Sequence, residues 1–235
     1  MSYAMDYPLA AQAPASARVA FIRRTYAHLA GAILAFAGLE AVLLQLVQAD
    51  PSIIRIMAGS RLSWLVVILA FTGVSWLADR WAQSDTSVGL QYLGLSIYVA
   101  AEAVIFLPVM WYARNFYPDA IATAGIITLG MFAGLTAAVF LTRGDYSHLY
   151  PILSIGSFVA IAFVIASLIF PFSNMVMLIF CFAMVALASG AIIYNTSNVL
   201  HHYRTNQHVA AALALFAAVA LLFYYVLRIL MRSRN

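Results

Sequence analysis

The sequence contains no lysine and only one cysteine, and charged residues make up 9% of its 235 residues. Without a lysine amine the chain cannot form a Schiff base, which excludes a retinal-type receptor. The single cysteine, Cys181, cannot make an intramolecular disulfide or a thiolate metal cage. It is therefore expected to be a small core or lipid-facing residue, and no cofactor is predicted.

The scarcity of charge points to a lipid bilayer. A soluble domain has about 25% charged residues, whereas 65% of this chain is hydrophobic. The net charge of +4 would ordinarily raise nucleic acid as a partner. Here, however, the arginines stand singly at the edges of apolar runs, which is typical of membrane anchors and predicts no nucleic-acid binding.

Seven apolar runs reach the length of about 20 residues that a helix needs to span a bilayer. Only helices or closed barrels satisfy the backbone in lipid, and runs of this length indicate helices. The predicted fold is therefore all-α, a polytopic membrane protein with a seven-transmembrane-helix bundle. The predicted spans are about 26–48, 61–82, 88–111, 119–141, 149–171, 174–195 and 208–231.

Residues 1–17 are predicted to be a flexible N-terminal tail, and residues 18–235 to be the seven-helix transmembrane domain. Arg18, Arg23 and Arg24 precede the first span and favour a cytoplasmic N-terminus. Counted over all loops, however, six arginines would lie on the cytoplasmic side and six on the outer side. The basic end of the chain would then lie outside. This tie leaves open whether the last segment fully crosses the membrane.

Motifs of membrane enzymes are missing. No histidine pair forms the HExxH of a zinc protease, and no GxSG turn of an intramembrane serine protease is present. No span interior contains an aspartate, which an intramembrane aspartyl protease requires. The adjacent His201 and His202 point to different faces of a helix. We therefore predict neither an enzyme nor a metal site.

Two glutamates inside the spans, Glu40 and Glu102, are the candidate ion-pathway residues. An ionisable residue in a span costs roughly 2.5–3.5 kcal/mol, so each needs a physical reason. Both are expected in the same half of the bilayer, where they would face one another or a shared water-filled cavity and hold a proton or a cation. In the alternative interpretation each one snorkels or forms its own hydrogen bond to a neighbouring helix.

Small residues at four-residue spacing predict close helix contacts without chemistry. Gly130 and Gly134 form a GxxxG pattern in the fourth span. The same spacing occurs at Ala27, Gly31 and Ala35 in the first span and at Ala210, Ala214 and Ala218 in the last.

Three stretches of the chain resemble the Bax inhibitor family, the transmembrane proteins with the Bax-inhibitor motif. The most specific is GAIIYNTSNVLHHYRTNQHVAAALALFAAVALLFYYVLRIL, which is similar to the last two helices of the family. FIRRTYAHLAGAILAFAGLEAVL resembles the entry to its first helix, and GLTAAVFLTRGDYSHLYPIL its connection between the fourth and fifth helices. The resemblance covers about residues 18 to 231 and implies a seven-helix fold with the last helix central.

In the family, a buried pair of aspartates on the sixth and seventh helices is tied to a pH-sensitive calcium leak. The resemblance places the first of these positions at Asn195 and the second at Ala218, so neither can ionise here. Asn195, Thr196 and Asn198 are then expected to be polar helix contacts, which bond to the last helix or close the carbonyls of the sixth span.

The resemblance implies a bacterial-type regulatory protein of an inner membrane. One expected function is a leak of calcium or another cation that the aspartate pair does not gate. Some bacterial members that lack the acidic pair are associated with modulation of a membrane-bound AAA-type protease, which is the alternative. A short, unstructured, cytoplasmic N-terminus such as residues 1–17 would suit engagement by such a protease.

Overall fold

The computed structural model describes residues 7–50, 52–84 and 87–233. Apart from one isolated bridge between two residues, its regular structure in these ranges is helical, as predicted. Seven of the helices are long and apolar enough to cross a membrane, which confirms the predicted polytopic bundle. In chain order the α-helices are α1 (Ala15–Ala49), α2 (Ser52–Ala58), α3 (Arg61–Ala82), α4 (Val88–Phe116), α5 (Pro118–Thr142), α6 (Tyr150–Ile169), α7 (Asn174–His201) and α8 (His208–Arg232).

The helix boundaries follow from local capping chemistry. The side chains of Ser60, Ser87 and Ser173 each accept a hydrogen bond from the backbone N–H three residues further on, which caps α3, α4 and α7. Pro118 occupies the first turn of α5, where its missing N–H costs nothing. Arg143 adopts a left-handed conformation with φ of 50° and thereby ends α5.

Helix α8 is the core of the bundle. It contacts α1, α3, α4, α5 and α7, and it buries side chains around most of its circumference. Its 25 residues correspond to about 37 Å, more than the roughly 30 Å of bilayer hydrocarbon, so the last segment is long enough to cross. Helix α6, in contrast, packs mainly on α7 and exposes most of its side chains.

The two ends of the bundle are named here by the first helix. The N-terminal face carries the start of α1, α4, α6 and α8 and the end of α3, α5 and α7; the C-terminal face carries the opposite ends.

Part of the predicted tail is bonded to the bundle. Residues 1–6 of that tail lie outside the described residues. Beyond them, the N–H of Ala10 donates to the carbonyl of Tyr203 at 2.8 Å, and Leu9 and Arg204 form the isolated antiparallel bridge. Ala10 and Ala13 are buried, and α1 begins at Ala15 rather than after residue 17. From Leu9 onward, the N-terminal segment is therefore anchored to the α7–α8 loop.

The GxxxG pattern does not mark a close helix contact. A Cβ atom at Gly130, Gly134 or Gly31 would meet nothing within 4 Å. The prediction of tight packing was therefore wrong at these glycines, because a small-residue spacing identifies a helix face but not what lies opposite. The tight approach occurs instead at Gly94, where a Cβ would lie 2.5 Å from the carbonyl oxygen of Ala78 on α3.

Candidate functional site

Glu102 lies at the middle of α4 and is 7% exposed. It lines a cavity of about 400 Å³, the Glu102 cavity, between α3, α4, α7 and α8. Tyr98, one turn earlier on α4, lines the same cavity. Tyr224 and Tyr225 of α8 are the other titratable side chains in the lining. The cavity therefore combines one carboxyl group with phenol hydroxyls in otherwise apolar surroundings.

The two positions that match the family's acidic pair line the same cavity. Asn195 of α7 and Ala218 of α8 both face it, together with Glu102. The Asn195 amide donates from Nδ2 to the carbonyl oxygen of Ala214 at 3.1 Å and so ties α7 to α8. A carboxyl group is thus present at this level of the bundle, but α4 supplies it instead of α7 or α8.

Glu40 lies in a different cavity, so the expectation of a shared cavity was wrong. It is 2% exposed and lines a space of about 570 Å³, the Glu40 cavity, between α1, α4, α5 and α8. Neither of its carboxylate oxygens has a hydrogen-bond partner among the described residues. Thr128 and Arg114 also line this cavity, and Arg114 is exposed at the end of α4. Glu40 therefore remains a buried carboxyl group without a direct polar contact.

A layer of aromatic rings separates the two cavities. The rings of Phe36 and Phe106 lie 5.1 Å apart, and the rings of Phe36 and Phe216 lie 6.0 Å apart. Phe223 stacks on Phe106 at 6.0 Å. Phe106 lines the Glu102 cavity, whereas the other three line the Glu40 cavity. Glu40 and Glu102 do not face one another because this aromatic layer and α8 lie between them.

The remaining polar residues of the sequence motif occupy separate environments. Thr196 is fully buried, and its hydroxyl lies near that of Tyr26 on α1 without an aligned hydrogen bond. Asn198 lines a polar cavity of about 420 Å³ at the N-terminal face, and its carbonyl oxygen accepts the N–H of His202 at 2.9 Å. Asn195 is thus the member of the motif whose side chain bonds to α8, while Asn198 takes part in the last turn of α7 through its backbone carbonyl.

Sequence reasoning missed Ser197, which joins α7 to the α5–α6 loop. Its hydroxyl accepts the N–H of Tyr146 at 2.9 Å and donates to the carbonyl of Gly144 at 3.2 Å, in a fully buried position. The four-residue run of polar side chains was a signal for such a contact, but nothing in the sequence indicated which loop it meets.

A surface ion pair reinforces the same loop. Nε2 of His202 lies 3.2 Å from the Asp145 carboxylate. The backbone N–H of Ser147 and this His202 contact lower the pKa of Asp145 to about 2. Across the described residues, no three His, Cys, Asp or Glu side chains come together as a metal site.

Comparisons with known proteins identify the family of this chain. The family model described as inhibitor of apoptosis-promoting Bax1 matches residues 18–235. An uncharacterized protein of Pseudomonas aeruginosa is 28% identical over 214 residues, which cover 88% of this chain and 87% of that protein. An uncharacterized protein of Neisseria meningitidis is 27% identical over 188 residues, or 74% and 75% of the two chains.

The Bax inhibitor 1 of Schizosaccharomyces pombe is also similar. It is 28% identical over 155 residues, which cover 61% of this chain and 53% of the yeast protein. Since the family model matches from the first arginine of α1 through α8, this multi-pass membrane protein belongs to the Bax inhibitor family.

Proposed function

We propose that the protein is a non-enzymatic cation leak pathway in which Glu102 takes the place of the family's aspartate pair. The observation that carries this proposal is that Glu102, Asn195 and Ala218 line one cavity. A carboxylate held in an apolar bundle lowers the energy of a cation passing beside it. Asn195 adds an amide oxygen, since its Nδ2 is engaged by α8.

The residues that line the Glu102 cavity favour transient passage of a cation over stable binding. Calcium takes about six to eight oxygen ligands in a stable site. The described residues of this cavity offer one carboxylate with an amide and three phenol hydroxyls. So small a set of oxygen ligands supports a weak, transient site.

Calcium flux into proteoliposomes tests the assignment with a matched pair of variants. At about 4 Å and an effective dielectric constant of about 20, a carboxylate attracts a divalent cation by roughly 8 kcal/mol. Loss of about a sixth of that attraction in Glu102→Gln lowers flux about tenfold. Glu40→Gln is the control, because it removes the other buried carboxylate from the far side of the aromatic layer. Equal flux in wild type and Glu102→Gln would refute the role of Glu102.

A second variant tests the missing acidic pair. Carboxyl groups that share one cavity compete for protons and switch with pH, whereas the titratable side chains among the described lining residues of the wild type are Glu102 and tyrosines. The double substitution Asn195→Asp and Ala218→Asp should therefore create a steep pH-gated calcium flux that the wild type lacks. If wild type already gates steeply near neutral pH and Glu102→Gln leaves that gating intact, the assignment is wrong.

The alternative function is restraint of a membrane-bound AAA-type protease without transport. The carbonyl of Pro8 accepts the N–H of Thr205 at 3.2 Å, so a protease that pulls on this end must first break the contacts with the α7–α8 loop. Deletion of residues 1–17 should then alter turnover of the protease's substrates in vivo. Unchanged turnover would exclude this alternative.

A further inference from the structure

Two arginines at the end of α8, Arg228 and Arg232, face one cavity at the C-terminal face. They are four residues apart and so lie on the same side of the helix. The cavity, called here the arginine cavity, has a volume of about 550 Å³ and is open on one side. Because neither glutamate cavity contains these side chains, the proposed leak does not explain them.

The arginine cavity carries uncompensated positive charge. Among the residues that the structure describes, no Asp or Glu side chain lines it. Within the described part of the chain, neither guanidinium forms a salt bridge with a carboxylate. Arg228 instead lies over the ring of Tyr224, 5.5 Å from its centroid, and Arg232 donates to the side-chain oxygen of Asn174. Two fixed cations with only neutral partners form a site for an anion.

The position of Asn174 adds to this preference. Asn174 is the first residue of α7 and lines the cavity, so the positive end of a 28-residue helix dipole lies at its rim. This contribution is smaller than that of the arginines but has the same sign.

The depth of the cavity matches the lipid headgroup region. Trp64 and Tyr112 line it, and each lies within about one turn of the end of its helix at the C-terminal face. Such aromatic side chains are typical of the membrane–water interface. The rest of the lining includes Pro108, Leu168 and Met231, which are apolar. A ligand with a phosphate at one end and hydrocarbon at the other fits both parts, whereas a free inorganic anion fits only the first.

From these observations we propose that the arginine cavity binds the phosphate of an anionic phospholipid, with Arg228 and Arg232 as its ligands. Basic pockets between transmembrane helices are a known form of lipid-headgroup site. The proposal also gives a physical reason for the even distribution of arginines between the two faces. A lipid phosphate offsets the charge at the end of α8, so these arginines need not follow the usual bias in arginine placement.

Native mass spectrometry of the delipidated full-length protein in detergent tests the site. Phosphatidylglycerol and phosphatidylcholine are titrated separately, and dissociation constants are taken from the population with one lipid bound. We expect phosphatidylglycerol to bind at least about tenfold more tightly, since it carries the net negative charge that two guanidinium groups recognise. Arg228→Gln/Arg232→Gln should bind the two lipids equally. Arg55→Gln, which removes an exposed arginine of α2 outside the cavity, should keep the wild-type preference.

Two further measurements keep the test decisive. Arg228→Lys/Arg232→Lys retains the charge, so it should still prefer phosphatidylglycerol but bind it less tightly, because lysine lacks the planar fork of arginine. This variant also serves if the double glutamine variant does not fold. A preference that survives Arg228→Gln/Arg232→Gln, or equal binding of both lipids by wild type, overturns the proposal. Displacement of phosphatidylglycerol by inorganic phosphate overturns the lipid assignment in favour of a free anion.

Discussion

Adding one methyl group at Gly94 should push α3 away from α4. The new Cβ would lie 2.5 Å from the carbonyl oxygen of Ala78 and 2.7 Å from the backbone nitrogen of Ala82, so the helices must separate by most of an ångström. Overpacking of this kind costs about 1–3 kcal/mol, and replacing a helical glycine with alanine returns about 0.5–1 kcal/mol. The expected net loss for Gly94→Ala is about 1–2 kcal/mol, which lowers Tm by about 2–8 °C for a chain of this size.

Thermal unfolding of the detergent-purified protein measures this loss, and Gly134→Ala is the matched control. A Cβ at Gly134 meets nothing within 4 Å, so only the gain in helix propensity remains and Tm should rise by about 1–4 °C. If Gly94→Ala raises Tm as the control does, α3 and α4 do not approach each other closely at this level. The shared wall of the Glu102 cavity, to which Phe71 of α3 and Tyr98 of α4 contribute, would then also be misplaced.

Three further predictions concern polar groups. Glu40→Met removes two carboxylate oxygens that have no partner and should stabilise the purified protein by about 1–3 kcal/mol; a lower Tm would reveal a partner that Glu40 needs. Ser197→Ala leaves the buried N–H of Tyr146 without its acceptor and should destabilise by about 1–3 kcal/mol in the same melting assay, a loss that unchanged melting would disprove. The N–H of Ser147 lowers the pKa of Asp145 from 3.8 to about 2, so Asp145 stabilises the fold above about pH 4 and loses this effect as the pH falls towards 2. The difference in Tm between wild type and Asp145→Asn should therefore shrink across that range, and a constant difference would contradict the linkage.

Hydrophobic run length was sufficient to predict the seven spans, but not where their helices begin and end. Helix α1 starts at Ala15, well before the predicted apolar run, and includes Arg18, Arg23 and Arg24. Arginine is a good helix former and can extend its charge towards water, so a helix continues where hydropathy stops. The short helix α2 was missed, because Pro51 and Gly59 mark breaks and seven residues are too few for an apolar period to be recognised.

The candidate site was predictable in its members but not in its pairings. The free-energy cost of a carboxyl group inside a span identified Glu40 and Glu102 as candidates. The resemblance to the Bax inhibitor family identified Asn195 and Ala218. Sequence spacing identifies a helix face, but it does not say which helices are neighbours. For this reason the grouping of Glu102 with Asn195, and the isolation of Glu40, appeared only in the packed bundle. Ser197 was missed for the same reason, since its partners lie 51 and 53 residues away in the chain.

The central place of α8 has a consequence for biosynthesis. This helix leaves the ribosome after all seven helices that precede it, yet it touches five of the membrane-spanning ones. Before α8 is inserted, those helices lie in the bilayer without their central partner. The surfaces that later pack against α8 then face lipid. The contacts of Ala10 and Leu9 with the loop before α8 cannot form until that loop has been made, so the start of the chain is tethered late in synthesis.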